Sequence, residues 1–299
     1  MIKNKRFGLI AFLLGLLLAH SAHAAKTLQT EKSLYRNIVV IEEGNRRCMI
    51  FESRNDPPPY QSCMDLRNKD KLVFNYTKLI LSGLLYNPKP KRILVIGLGG
   101  GTLPVALNKM VPEAIIESVE IDPAVVKLAR KYFHYEDNNK VSTHIFDGRV
   151  YVKRALLKKQ QYDWIILDAF NGDYIPEHLM TQEYFAELRG LLSDEGIITS
   201  NTFSDSRLYD HESVTYHKVF GDFYNLRRRS TGNRIVLAAK SDELVSMNRI
   251  KRHANQLRHK FSKFGVDPQW ILKHFRKSKD WNEEARSLSD QYSPANLLK

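Results

Sequence analysis

An apolar β-branched run, RILVIGLGGGT at residues 92–102, empties into four glycines, Gly97, Gly99, Gly100 and Gly101. The next apolar run, closing on VEIDP at residues 119–123, ends on an acid, Glu120. Glycine lets a backbone turn sharply and approach a ligand closely. An acid at the end of the following strand can accept hydrogen bonds from both hydroxyls of a ribose. Two later runs also end on acids, Asp147 before Gly148 in HIFDG and Asp168 in WIILDAF. The glycine loop alone is a weak signal. With Glu120 in place, it points to an adenosine-like ligand. On that reading Gly97, Gly99 and Gly101 wrap the tail of the ligand, and Glu120 takes the ribose. Asp147 accepts from an adenine amino group, and Asp168 stands nearest the reactive end. Each acid also has a plainer use. Asp122 and Asp147 suit helix N-caps before Pro123 and Val150, and Asp168 could simply end a strand.

The elements that must carry these residues repeat regularly. Strand patterns at 93–96, 115–121, 141–146 and 164–167 alternate with helix patterns at 103–110, 124–133, 150–157 and 182–191. Further strands fall at 196–201 and 235–239. Alternating units with continuous apolar strands predict an α/β fold with a doubly wound, mostly parallel sheet. Ligands in such sheets bind at the carboxyl ends of the strands, where the glycines and the three acids fall. Upstream, 37–41 and 48–51 read as strands around Glu43-Gly44-Asn45, a hairpin signal. Residues 71–85 have helical spacing and stop at Asn87-Pro88-Lys89-Pro90. The organisation expected is a leader at 1–24, a β segment at 25–70, a Rossmann-like domain at 71–240 and a basic helical tail at 241–299.

The leader has a secretory pattern. Lys3, Lys5 and Arg6 precede an uncharged apolar run at 7–19, and Ser21-Ala22-His23-Ala24 offers a cleavage site before Ala25. The alternative is an uncleaved anchor, although the run is short for a membrane span. Export to a periplasmic or external compartment is therefore expected. There the two cysteines, Cys48 and Cys63, would meet oxidising conditions. A bridge across the hairpin-like segment and a pair of free thiols are both open readings, because the sequence does not give their separation. The formal net charge is +13, with much of the excess after Asn248. A solvated helix face is the reading favoured over weak contact with an anionic surface. Aromatics are not interleaved as in a base-stacking platform, which argues against nucleic acid. No residue pattern calls for a metal.

The order glycine loop, VEIDP, DG, then YDWIILDAF…LMTQEYFAELRGLLSDEGIITSN resembles the spermidine synthase (polyamine aminopropyltransferase) family. It is most similar to a bacterial branch with GLGGG and DAFxGD loops, over roughly residues 35–240. The resemblance implies a class I methyltransferase-type sheet with a small N-terminal β segment. It implies aminopropyl transfer from decarboxylated S-adenosylmethionine, a co-substrate, to a diamine such as putrescine, without metal. It places Glu120 on the ribose, Asp147 on adenine and Gln61 on the nucleoside. Asp168 matches the catalytic aspartate of the family's DSSDP loop, and Glu177 its Pro-Ala-Glu glutamate. Asp173 lies two residues beyond the position of the second DSSDP aspartate, which here is Asn171. Asp173 and Glu177 are thus expected to meet substrate charge.

The departures concern the diamine half of the site. The family's GGGDGG loop is here one residue shorter and lacks its aspartate, and Tyr-His-Glu falls on Asn75-Tyr76-Thr77. Two rival readings follow: an S-adenosylmethionine-dependent methyltransferase, and a non-catalytic exported protein that binds nucleoside or polyamine. A homodimer is compatible with each.

Overall fold

A computed structural model describes residues 25–52, 59–170, 174–227 and 232–293. The proposed leader, Asp173 and the C-terminal residues 294–299 lie outside the described residues.

Four strands open the chain: β1 (Lys26–Lys32), β2 (Asn37–Glu43), β3 (Arg46–Phe51) and β4 (Tyr60–Asp65). They form an antiparallel sheet in sequential order. Gly44, with φ +55°, makes the β2–β3 turn, a backbone conformation that glycine adopts without Cβ strain. Ile38, Val40, Met49, Phe51 and Met64 form the sheet's inner face. Cys48 and Cys63 stand opposite each other on β3 and β4 and are joined as a disulfide. The bridged reading of the two cysteines therefore holds.

The helix expected over 71–85 is two short ones, α1 (Asn75–Ile80) and α2 (Ser82–Tyr86). Tertiary pairing overrides the helical spacing at its start. Leu72 forms a bridge with Met64, and its amide donates to Phe264 O at 3.0 Å.

The second sheet follows the expected alternation. Its parallel part comprises β5 (Arg92–Ile96), β6 (Ile115–Glu120), β7 (Val141–Ile145), β8 (Tyr162–Leu167) and β9 (Leu192–Phe203). The intervening helices are α3 (Thr102–Met110), α4 (Pro123–Tyr132), α5 (Gly148–Leu157) and α6 (Gln182–Leu191). After α7 (Tyr209–Phe220), strands β10 (Phe223–Arg227) and β11 (Asn233–Ala239) add antiparallel. Then come α8 (Met247–Ser262), α9 (Pro268–Leu272) and the short edge strand β12 (Phe275–Arg276). The order is β12-β10-β11-β9-β8-β5-β6-β7, with the reversal between β5 and β8 at its centre. Successive strand residues feed opposite cores, as a sheet's two-residue period requires. Ile93, Val95 and Ile166 face one core with α8; Leu94, Ile96 and Ile165 face the other with α6 and α7.

The β segment docks on this sheet through α4, whose Val125 and Leu128 pack against it together with Phe133. Helix α8 packs on the main core. Ile250, Ala254, Leu257 and Phe261 of α8 are buried in the main core, at helical spacing. Arg249, Lys251, Arg252, Arg258 and Lys263 form its exposed face. Among the described residues no helix is long and apolar enough to cross a membrane.

Candidate active site

The β5, β6 and β8 ends and the loop after β7 meet at a cavity of about 640 Å³. The N-terminal sheet supplies the facing wall through Tyr35, Arg36, Phe51, Gln61 and Ser62. Gly97, Gly99, Glu120, Asp147, Gly148 and Asp168 all line it, as does Gln61. The topology has thus brought together most of the residues singled out in the sequence.

Gly97 ties the loop to the acid at the centre of the site. It has φ +95°, and a Cβ there would lie 2.3 Å from the carbonyl oxygen of Asp168. No other residue type allows that approach. Gly101 is different. It does not line the cavity; a Cβ on it would meet the Tyr135 ring at 2.5 Å. It starts α3 in a left-handed conformation and packs on Tyr135, and its expected contact with ligand stays a proposal.

Glu120 braces the loop. Its Oε2 accepts from Leu98 N and its Oε1 from Asp122 N, both at 3.0 Å. Burial raises its pKa, against the opposing effect of those two amides. Asp147 is both cavity wall and N-cap. Its Oδ1 accepts from Val150 N at 2.9 Å, while its Oδ2 lies 2.9 Å from His178 Nε2. The His178 bond is the main reason that its pKa is lowered. Asp122 is an N-cap as well, accepting from Ala124 N at 2.9 Å.

Asp168 directly follows β8 and lines the cavity. Asn201 Nδ2 donates to its Oδ1 at 2.8 Å, and the Tyr76 hydroxyl also bonds to it. Burial nevertheless pushes its pKa up to about 7. Glu177 does not line the cavity. It opens a single 3-10 turn, Glu177–Leu179, whose neighbours Pro176, His178 and Leu179 form the wall instead. The substrate contact expected of Glu177 stays a proposal.

Several lining residues escaped the sequence reading. Asn201 and Asn233 come from β9 and β11, and their contact is tertiary: Asn233 Nδ2 donates to Asn201 Oδ1 at 3.1 Å. Arg36 lies with its guanidinium carbon 4.5 Å from the Phe51 ring centroid. Its Nε and Nη1 are buried without a hydrogen-bond partner, near the charges of Glu120 and Asp122. A lone arginine beside a tyrosine carries no sequence signal. Among the described residues no group of three or more His, Cys, Asp or Glu is placed to hold a metal.

A cavity lined by the glycine loop and buried acids does not by itself name a family. The family model described as the spermine/spermidine synthase domain matches residues 73–226. A polyamine aminopropyltransferase of Vibrio vulnificus is 44% identical over 97% of both chains. The chain belongs to the spermine/spermidine synthase family. Family members of this type are transferases, and the fold agrees. A probable spermidine synthase from Corynebacterium glutamicum superposes with TM-score 0.67 at 21% identity, covering 88% of this chain and 96% of its own. Human methyltransferase-like protein 13, solved with SAH, superposes with TM-score 0.58 at 22% identity, over 76% of this chain and all of its own. The methyltransferase-type sheet is therefore common to both chemistries, and the relationship in sequence separates them in favour of aminopropyl transfer.

Proposed function

We propose that this member of the spermine/spermidine synthase family moves an aminopropyl group from decarboxylated S-adenosylmethionine to a diamine such as putrescine. The observation that carries the reading is Asp168, a buried carboxyl lining the cavity and held by Asn201 and Tyr76. The donor's sulfonium activates the adjacent carbon. A neutral amine attacks that carbon, the C–N bond forms, and the C–S bond breaks with its electron pair returning to sulfur. Methylthioadenosine leaves. For the amine to be neutral when it attacks, its ammonium form must first shed a proton. Asp168 accepts it, and a carboxyl whose pKa is about 7 is well matched to that task at neutral pH.

The rest of the cavity positions the donor. Glu120 takes the ribose hydroxyls and Asp147 the adenine amino group, with Gln61 across the cleft. Gly97, Gly99 and Gly148 allow close approach. Arg36 offers its two unpartnered nitrogens to the ribose end. Asn201, Asn233, Phe170 and Phe203 line the end beyond Asp168, where the diamine chain would lie. Asp173 keeps its proposed role toward the far ammonium.

Export of the mature chain from residue 25 is also proposed. The leader pattern supports it, and the Cys48–Cys63 disulfide suits an oxidising compartment. Weak contact of the basic α8 face with an anionic surface, and homodimer formation, stay as secondary proposals. The deciding experiment supplies the mature protein with decarboxylated S-adenosylmethionine and putrescine and measures spermidine and methylthioadenosine. Equal amounts of the two products support the reading. No spermidine, with methyl transfer from intact S-adenosylmethionine, overturns it.

A further inference from the structure

The last described stretch, residues 286–293, lies across the segment that walls the cavity. Leu288 is fully buried, packed with Met180 and Leu208. Its carbonyl accepts from Gln182 N at 2.9 Å, and its amide donates to Thr215 Oγ1 at 2.8 Å. Asp290 N donates to Glu183 Oε2 at 2.9 Å, and Thr181 Oγ1 donates to Asp290 Oδ1 at 2.8 Å. Ser293 Oγ donates to the Glu177 carbonyl at 3.3 Å. Apart from the bond to Thr215, the contacts of His211 and Lys218 with residues 286 and 287, and the Arg149 pair described next, these bonds land between residues 177 and 183.

Arg149 links this stretch to the nucleoside side. It follows Gly148 in the first turn of α5. Its Nη1 and Nη2 grip Asp290 at 2.6 and 2.8 Å, and its Nε and Nη2 grip Glu187 at 3.0 Å each. Nη1 also donates to the His178 carbonyl at 3.3 Å. The His178 imidazole in turn meets Asp147. A two-pronged guanidinium–carboxylate pair sets orientation as well as energy. The Arg149 side chain is 11% exposed and that of Asp290 45%, so the pair is covered on the arginine side and open to water on the aspartate side.

We propose that residues 286–293 act as a clasp that sets the nucleoside wall at residues 176–179, with Asp290 as its positioning residue. The clasp lies beyond the part of the chain that the family model covers. It deepens the aminopropyl-transfer reading, since it rests on the cavity taking a nucleoside. With Asp290 in place, the wall is ordered before ligand arrives. Without it, ligand binding must order the wall and is weakened. By linkage, ligand binding must then also steady the clasp.

The test uses methylthioadenosine and calorimetry on the full mature chain, wild type and Asp290→Ala, with melting curves to confirm folding. About tenfold weaker binding is expected, within the usual span of such coupling. Asp290→Glu should recover part of it. In the wild type, methylthioadenosine should slow hydrogen exchange at the Leu288 and Asp290 amides, an effect that a merely structural contact would not produce. In turnover assays, KM for the donor should rise while kcat changes little. Equal affinity in a folded Asp290→Ala, or unchanged exchange on saturation, overturns the clasp. Failure of the wild type to bind methylthioadenosine at all would instead overturn the nucleoside reading beneath it. If Asp290→Ala does not fold, Thr181→Val removes one of the same contacts, and the same affinity comparison decides.

Discussion

Asp168 directly follows β8, Asn201 lies on the adjacent parallel strand β9, and the amide of Asn201 holds the carboxylate of Asp168 at 2.8 Å. The bond lowers the pKa of Asp168, but burial outweighs it and leaves the group near neutrality. Structure, proton affinity and proposed chemistry therefore meet in one pair.

Asp168→Asn should cut turnover by about 10²- to 10⁴-fold, the usual contribution of a general base. Nucleoside affinity, measured by calorimetry, should stay near that of wild type. The same variant should differ in stability. In the folded wild type Asp168 has a pKa of about 7, above its unfolded value, so the folded state holds this proton more tightly. Its contribution to stability then falls as pH rises between about 4 and 7. Melting curves should show Asp168→Asn gaining on wild type across that window. A constant difference from pH 4 to 8 would remove the burial argument.

The Asn201 bond should be visible in a pH profile. Asn201→Leu, like Tyr76→Phe, removes a donor that favours the ionised form of Asp168. Each should move the rising limb of kcat/KM to higher pH than the wild-type limb expected around 7. An unmoved limb would show that another group sets the profile.

Glu120→Ala removes the ribose acceptor. The loss should weaken methylthioadenosine binding by about 1.5–3 kcal/mol, as for hydrogen bonds to a charged group. The amides of Leu98 and Asp122 also lose their acceptor, so melting curves should show some destabilisation. Unchanged affinity in folded protein would take Glu120 off the ribose.

The disulfide should matter to stability and little to the site, because Cys48 and Cys63 do not line the cavity. They are 15 residues apart in sequence. A cross-link closing such a loop contributes about 3 kcal/mol in the chain-entropy account. Replacing both by serine should lower the urea midpoint correspondingly. The mature protein isolated from its cell should begin near Ala25 and show the two cysteines linked on non-reducing peptide mapping. Free thiols there would contradict the export proposal.

Much of this was readable from residue order. The strands alternate with helices along the chain, and parallel strands all end at the same side of the sheet, so the glycine loop, Glu120, Asp147 and Asp168 had to converge, although β6 (IIESVE) and the edge strand β7 (VSTHI) carry polar residues. Helix α6 lies at the expected residues 182–191, where an apolar period and the N-cap Thr181 agree. The resemblance to the family rests on the same short blocks. Other features were set by contacts between distant segments. Whether Gly101 meets a ligand or Tyr135, and whether Glu177 or His178 turns to the cavity, depends on neighbours more than thirty residues away or on the register of a single 3-10 turn. Leu72 left its helical pattern because Met64 and Phe264 offered it a better partner. Arg36, Asn201 and Asp290 show no local pattern at all. Periodicity records which face of an element is apolar, whereas a polar side chain takes its role from whatever the fold sets opposite it.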